Sequence, residues 1–180
     1  MPNPRDVFVI HGRDHEARRA VWSFLQDIDL HPLDWEEIVR RTGRPMPYTG
    51  EVLREAFEDN QVAIVLMTPD DGASLHPDLR NASEPSYETA PTGQARPNVL
   101  LELGMALALQ PERTLVIEIG SLRPPSDIAG LNVIRFDGTV ASLHRIAQRL
   151  EVAGCAVNTK GQNWLDVSRF ADLGAYNRTF

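Results

Sequence analysis

One carboxylate stands out among the side chains that could take part in a reaction. Glu102 is the single ionisable residue in the apolar run VLLELGMALAL, residues 99–109. A carboxylate in such surroundings is costly unless it is paired, hydrogen-bonded or open to a cleft. If it opens on a cleft, it could act on a bound ligand as a charged group. Glu102 is therefore our candidate catalytic residue.

The expected helix around Glu102 supports this role. Pro97 suits the first turn of a helix over residues 97–109, so Glu102 lies in its first turns, where the macrodipole favours negative charge. Asn98 at i−4 and Ala106 at i+4 are polar or small and leave room beside the carboxylate. We include Asn98 among the candidate ligand-binding residues.

A structural interpretation of Glu102 competes with the catalytic one. The carboxylate could instead pair with Arg96 or Arg113, or simply reach the surface. The residue pattern alone favours neither interpretation. Burial beside a crevice would favour catalysis, because carboxyl groups with perturbed pKa values cluster at functional sites.

Three residues at the end of the first apolar run, His11, Gly12 and Arg13, form a candidate nucleotide contact. Glycine lets a ligand approach the backbone, and the Arg13 guanidinium could pair with a phosphate. The dinucleotide fingerprint GxGxxG is missing, so this signal is weak. His11 and His15 have i, i+4 spacing but no evident third ligand, and we predict no metal site.

Two further groups follow other apolar runs. Asp70 and Asp71, before Gly72, read first as a turn, although a contact with ribose hydroxyls is a second interpretation. Trp35 could stack on a base or ring, but such a tryptophan is more often half-buried core. No nucleophile elbow or Walker motif is present.

The elements that must position these residues alternate along the chain. Apolar runs predict strands at residues 6–11, 31–35, 62–67, 115–119 and 133–136, and helical periodicity predicts helices at 14–27, 51–60, 97–109 and 142–153. We expect Asp14 and Ser142 to be helix caps. This alternation predicts an α/β fold with a five-stranded parallel sheet and helices on both faces, in the flavodoxin-like order. Ligands of such sheets bind at the carboxyl ends of the strands.

Three stretches are less regular. Residues 40–50 carry two glycines and two prolines and are expected to form an exposed loop. Residues 69–96 are polar and long, which indicates a lid, a binding loop or disorder. We divide the chain into a domain at residues 1–157 and a tail at 158–180, whose apolar side chains indicate that it packs on the domain.

Composition narrows the function classes. The 180 residues suit one domain, and the net charge of −7 argues against a nucleic-acid partner, which would need a basic patch. Cys155 is the single cysteine, which fits a reducing cytoplasm. We see no signal peptide and no apolar run long enough for a bilayer, so we expect a cytoplasmic protein without a membrane partner.

Three motifs together resemble a known family. FVIHGRD at the first strand, LMTPDD at the central strand and GQARPNVLLELGMA before and within the following helix occur in the order and spacing of the bacterial TIR-like "predicted nucleotide-binding protein" family. The resemblance extends over residues 6–153. That family supplies NAD-cleaving effector modules of anti-phage systems, including modules fused to STING or cyclic-nucleotide-sensing domains.

The resemblance implies a flavodoxin-like TIR fold and NAD glycohydrolase activity, with NAD as substrate and no cofactor. It places the catalytic glutamate at Glu102 and lines the nucleotide pocket with His11, Gly12, Arg13 and the turn at residues 70–71. It also implies homo-oligomers or filaments, packed through the loop at residues 41–49. A separate cyclic-nucleotide sensor domain or protein is a further implied partner.

One carboxylate would suffice for this reaction. Ordinary glycoside hydrolysis needs a second carboxyl group to protonate the leaving oxygen, whereas the nicotinamide of NAD is a cation that departs neutral. Two alternatives remain: a nucleoside deoxyribosyltransferase-like enzyme with a similarly placed glutamate, and a non-catalytic TIR module that acts only by self-association.

Overall fold

A parallel sheet forms the centre of the molecule in the computed structural model, which describes residues 2–128 and 130–180. The strands of this part of the chain are β1 (Asn3–His11), β2 (His31–Leu33), β3 (Asn60–Met67), β4 (Asp71–Ala73), β5 (Thr92–Gln94), β6 (Thr114–Ile119) and β7 (Ile134–Phe136). Five of them form the sheet in the order β2-β1-β3-β6-β7, with every pair parallel. This is the predicted flavodoxin-like order.

The central strand shows why the apolar runs were good strand signals. β3 has a hydrogen-bonded neighbour on each side, with Ile64 opposite Val9 of β1 and opposite Leu115 of β6. Residues 62–67 are all buried, because helices cover both faces of the sheet. A strand in this position has no solvent face and needs no polar residue.

Helices cover the two faces of the sheet as predicted. They are α1 (His15–Asp27), α2 (Trp35–Arg41), α3 (Thr49–Asp59), α4 (Ser86–Thr89), α5 (Pro97–Leu109) and α6 (Val140–Val152). The apolar sides of α1 and α6 share one core cluster, and those of α2, α3 and α5 share the cluster on the opposite face. The predicted α/β class is therefore confirmed.

One of the two predicted helix caps is correct. Asp14 precedes α1, and its carboxylate accepts a hydrogen bond of 2.9 Å from the Ala17 amide. Ser142 was the wrong choice for α6, which begins two residues earlier and is capped by Thr139. The Ser142 hydroxyl is buried and donates to Asp137 at 2.5 Å. It therefore stabilises the turn before α6 and does not cap the helix.

The second strand and the loop after it both differ from the sequence-based predictions. β2 ends at Leu33, and Trp35 is the first residue of α2 rather than the last of a strand. Arg40 and Arg41, placed by sequence in an irregular stretch, belong to α2. The irregular connection before α3 is therefore shorter than predicted and extends over residues 42–48.

The long polar stretch at residues 69–96 contains regular structure. β4 and β5 pair antiparallel, with Gly72 opposite Gly93, and α4 lies between them. The hairpin begins directly after the carboxyl end of β3 and returns the chain to the start of α5. It thus borders the edge at which ligands of parallel sheets bind.

The C-terminal segment contributes to the core. Trp164, Phe170, Leu173 and Ala175 are buried with the α1 and α6 side chains. The rings of Phe170 and Phe136 lie 4.6 Å apart, centroid to centroid. Short 3-10 helices at residues 163–165, 168–170 and 174–176 lead this segment back toward the strand ends.

Candidate active site

Glu102 lies on one flank of α5. The buried stripe of that helix is Val99, Leu103 and Ala106, which pack against the sheet. At 100° per residue, Glu102 and Leu100 fall on opposite sides of this stripe. Leu100 lines a cleft with Arg123, on the side of β6. Glu102 therefore lies on the flank of α5 away from that cleft.

The Glu102 carboxylate has no partner within the described residues. Of the two arginines proposed as structural partners, Arg96 donates to Asp71 at 2.9 Å and Arg113 donates to the Asn60 carbonyl at 3.4 Å. Glu102 occurs in none of the ion pairs or side-chain hydrogen bonds of that part of the chain. Nor are its oxygens among the fully buried, unpaired atoms found there, so they keep access to solvent.

Partial burial without a partner changes the acidity of this group. Desolvation raises the pKa of Glu102 from 4.5 to about 7. Burial disfavours the charged form, and no cation or hydrogen-bond donor among residues 2–128 and 130–180 offsets it. A positively charged ligand next to Glu102 would stabilise the charged form. A carboxyl group poised to ionise near neutral pH is a functional-site signal.

Backbone N–H groups at the start of α5, about one turn before Glu102, have no side-chain cap. The helix begins at Pro97, and no side chain caps its first amides. Asn98 is exposed one turn before Glu102 on the same flank. A ligand that reaches Glu102 from the carboxyl edge of the sheet would thus pass Asn98 and the positive end of the helix.

The turn between β1 and α1 is fixed by the residues after β3. The Arg13 amide donates to the Asp70 carboxylate at 2.5 Å, and the Thr68 hydroxyl donates to the same group at 2.7 Å. Gly12 is required by this contact, because a Cβ there would collide with the Asp70 carboxylate. The structure thus brings Gly12 and Arg13 together with Asp70.

Arg13 and His11 present different chemistry at this turn. The Arg13 side chain is exposed, and its guanidinium takes part in no ion pair of the described residues. His11 is half-buried, and desolvation lowers its pKa, which favours the neutral form of the ring. Its Nδ1 lies 2.9 Å from the Gly12 carbonyl oxygen, which favours the tautomer with the proton on Nδ1.

The two aspartates after β3 are occupied by protein groups. Asp70 holds the Arg13 amide, and Asp71 holds Arg96, which ties the hairpin to the start of α5. A contact with ribose hydroxyls was the sequence-based alternative for both residues. The observed contacts fit a role in positioning the surrounding loops.

Trp35 is the first residue of α2. It is partly buried and packs against the core cluster beneath α3 and α5. Asp34 caps α2 by accepting from the Glu37 amide at 3.1 Å, and it also accepts from Arg18 at 3.1 Å. Sequence reasoning missed Asp34, although an acid three residues before Glu37 is a helix-start signal.

Clefts at the carboxyl ends of β6 and β7 lie apart from Glu102. One, of about 620 Å³, is lined by Gly120, Phe136 and Tyr176 among others. A second, of about 500 Å³, lies between the β5 residue Gly93 and the C-terminal residues. Glu102 lines neither of these open clefts, and the second includes Arg178 and Phe180 of the C-terminal segment.

Comparison with known proteins identifies the family. The family model described as "CAP12/Pycsar effector protein, TIR domain" matches residues 6–138. The chain belongs to this family of bacterial TIR anti-phage effectors. It is also 34% identical over 158 residues to the "Uncharacterized protein YuaY" of Escherichia coli (strain K12). That match covers 85% of this chain and 47% of the relative, so the chain spans about half the length of that protein.

The described residues also bear on membrane and metal sites. Across residues 2–128 and 130–180, none of the helices is long and apolar enough to cross a membrane. Within the same ranges, the histidine, cysteine and acidic side chains form no group of three or more that could hold a metal ion.

Proposed function

We propose that this TIR domain cleaves the nicotinamide–ribose bond of NAD, with Glu102 as the catalytic carboxylate. The observation that carries the proposal is the half-buried Glu102 carboxylate on the flank of α5, which has no partner among the described residues. Its surroundings offer no structural reason for a charge. Membership of an effector family adds support, because an effector needs an output and enzymatic turnover is one.

The reaction makes few demands on the protein. The bond between the anomeric carbon and the pyridinium nitrogen breaks, and its electron pair goes to the nitrogen, so nicotinamide leaves neutral. Positive charge then develops on the ribose, where the Glu102 carboxylate stabilises it. Water adds to the anomeric carbon and loses a proton, giving ADP-ribose; addition of a group within the same molecule would give a cyclic product.

We assign the other candidate residues to nucleotide binding. The exposed Arg13 guanidinium and the free amides at the start of α5 suit phosphate groups, since both donate hydrogen bonds to anions. Asn98 suits a ribose hydroxyl or the carboxamide of nicotinamide. We assign Gly12 to close backbone approach, His11 to a neutral hydrogen-bonding role, and Trp35 to the wall of the pocket.

The test is nicotinamide release by Glu102→Gln, which keeps size and polarity but removes the charge. We expect turnover to fall by at least about 100-fold, the usual cost of losing a central electrostatic contact in the transition state. Glu112→Gln is the matched control, because Glu112 is an exposed glutamate beyond the opposite end of α5. A Glu102→Gln protein with the wild-type rate would falsify the assignment.

The same assay separates the alternative enzyme. Incubation with deoxynucleosides in place of NAD, followed by chromatography, detects base exchange. Exchange with deoxynucleosides and no nicotinamide release would favour the deoxyribosyltransferase-like function over ours. Release of nicotinamide from NAD, without base exchange on deoxynucleosides, supports the hydrolase.

We further propose that self-association regulates the activity in the cytoplasm, together with a cyclic-nucleotide-sensing partner. The family description supports such a partner, and the loop at residues 42–48 supports association, because Met46 and Tyr48 are 90% and 82% exposed. Exposed apolar side chains of this size mark interaction surfaces.

Specific activity should rise steeply with protein concentration, and the double substitution Met46→Ser and Tyr48→Ser should shift that rise to higher concentrations. Association without nicotinamide release at any concentration would support the purely assembling module instead.

A further inference from the structure

The C-terminal segment lies against the carboxyl edge of the sheet. The Ala175 carbonyl packs on Gly120 after β6, and the Phe180 ring packs on Gly72 and Gly93 of the hairpin. A Cβ at any of these glycines would meet the segment, so the fit is close. This segment lies outside residues 6–138, the part matched by the family model.

One side chain of the segment reaches the candidate site. The Arg178 guanidinium donates to the Asp14 carboxylate at 2.9 Å and to the Pro69 carbonyl at 3.2 Å. It also lies 3.6 Å from the Asp70 carboxylate. Both aspartate side chains are only 3% exposed. A single cation thus serves two buried carboxylates from different parts of the chain.

The two carboxylates hold the β1–α1 turn from opposite ends. Asp14 caps α1 through the Ala17 amide, and Asp70 holds the Arg13 amide and packs on Gly12. The bridge by Arg178 therefore locks the start of α1 to the loop after β3, with Gly12 and Arg13 between them. A planar guanidinium can serve two carboxylates at once, which an ammonium group does poorly.

We propose that Arg178 is a positioning residue for the candidate active site, acting through Asp14 and Asp70 on the Gly12 and Arg13 backbone. The role in catalysis rests on the proposed NAD cleavage; the role in holding the turn does not. Without Arg178, two buried charges would face each other uncompensated, which is strongly unfavourable. Asp70 would then move toward solvent and release the Arg13 amide.

The first experiment reads the turn directly, without NAD. Amide hydrogen exchange at Arg13 is compared in wild type, Arg178→Gln, Arg178→Lys and Arg169→Gln. Arg169 is the matched control, because it lies in the same segment but pairs with Asp27, away from the site. We expect Arg178→Gln to speed exchange by at least about tenfold, because the amide loses its buried acceptor. Arg178→Lys should fall between it and wild type, and Arg169→Gln should match wild type at Arg13.

The second experiment uses steady-state kinetics with NAD. A displaced turn weakens nucleotide binding more than the bond-breaking step, so Arg178→Gln should raise KM by about tenfold and change kcat by less than about threefold. A general loosening of the segment would give Arg169→Gln the same effect.

The outcomes are separable. Unchanged Arg13 exchange in a folded Arg178→Gln protein overturns the positioning role, whatever the activity. Should that variant fail to fold, the Arg178→Lys protein decides by the same exchange measurement. Faster exchange in a protein that never releases nicotinamide supports the positioning role and removes the proposed function. Equal changes in Arg178→Gln and Arg169→Gln contradict a specific role for Arg178.

Discussion

The raised pKa of Glu102 has a consequence for stability that needs no substrate. Its pKa in the folded protein is about 7, against 4.5 for an ordinary glutamate. The folded state thus holds the proton more tightly than the unfolded chain. The resulting stabilisation is fully present below pH 4.5 and is lost as pH rises through 7. Glu102→Gln, which cannot ionise, should escape this loss.

The size of the effect follows from the shift. One pKa unit corresponds to about 1.4 kcal/mol, so a shift from 4.5 to about 7 means that the ionised carboxylate destabilises the fold by at most about 3.5 kcal/mol above pH 7. Glu102 keeps some access to solvent, and screening reduces this limit to about 1–2 kcal/mol. Glu102→Gln should therefore match wild type near pH 4.5 and be more stable by that amount at pH 8.

Urea denaturation between pH 4.5 and 8 measures the difference in free energy of unfolding at each pH. Glu112→Gln, an exposed substitution beyond the opposite end of α5, provides the reference curve. If the Glu102→Gln advantage does not grow with pH, the carboxylate is not desolvated in the folded protein. The physical basis for its catalytic role would then be lost.

Three further predictions concern the site and its scaffold. Because only ionised Glu102 stabilises the developing cation, kcat/KM for NAD should fall about tenfold per pH unit below pH 7 and level off above it; a flat profile from pH 5 to 8 would contradict this. Gly12→Ala places a methyl group against the Asp70 carboxylate, so it should lower the free energy of unfolding by about 1–3 kcal/mol and raise KM for NAD. An unchanged Tm would show that the turn can adapt. Thr139→Ala should cost about 1 kcal/mol in urea denaturation because α6 loses its cap, and an unaltered midpoint would disprove that capping role.

Apolar periodicity predicted the elements that are buried on a continuous face. β3 and α5 are long and strongly apolar, so their burial follows directly from their residues. α2 was not predicted because it has only seven residues and buries only Ile38, which is too little for a helical period to be visible in the sequence. β4 and β5 were not predicted because each strand has three residues with a glycine at the centre, and such a short stretch has no alternating pattern.

The candidate site was predictable to the extent that topology placed it. The rule that ligands bind at the carboxyl ends of parallel strands puts His11, Gly12 and Arg13 beside the residues after β3, and Asp70 does contact this turn. The Arg178 contacts could not be foreseen, because they join residues more than a hundred positions apart through a segment without a repeating pattern. Local signals cannot report such tertiary pairings.

The free energy that Glu102 costs the fold is linked to the chemistry it would perform. A desolvated carboxylate with no partner binds a proton, a cation or a positively charged transition state more tightly than a solvated one does. In the proposed reaction the pyridinium ribose of NAD brings positive charge to Glu102, so binding of substrate and ionisation of Glu102 would favour each other. A paired glutamate at the same position would stabilise the fold but would have its charge already neutralised. The missing partner is therefore the feature that distinguishes a catalytic carboxylate from a structural one in this helix.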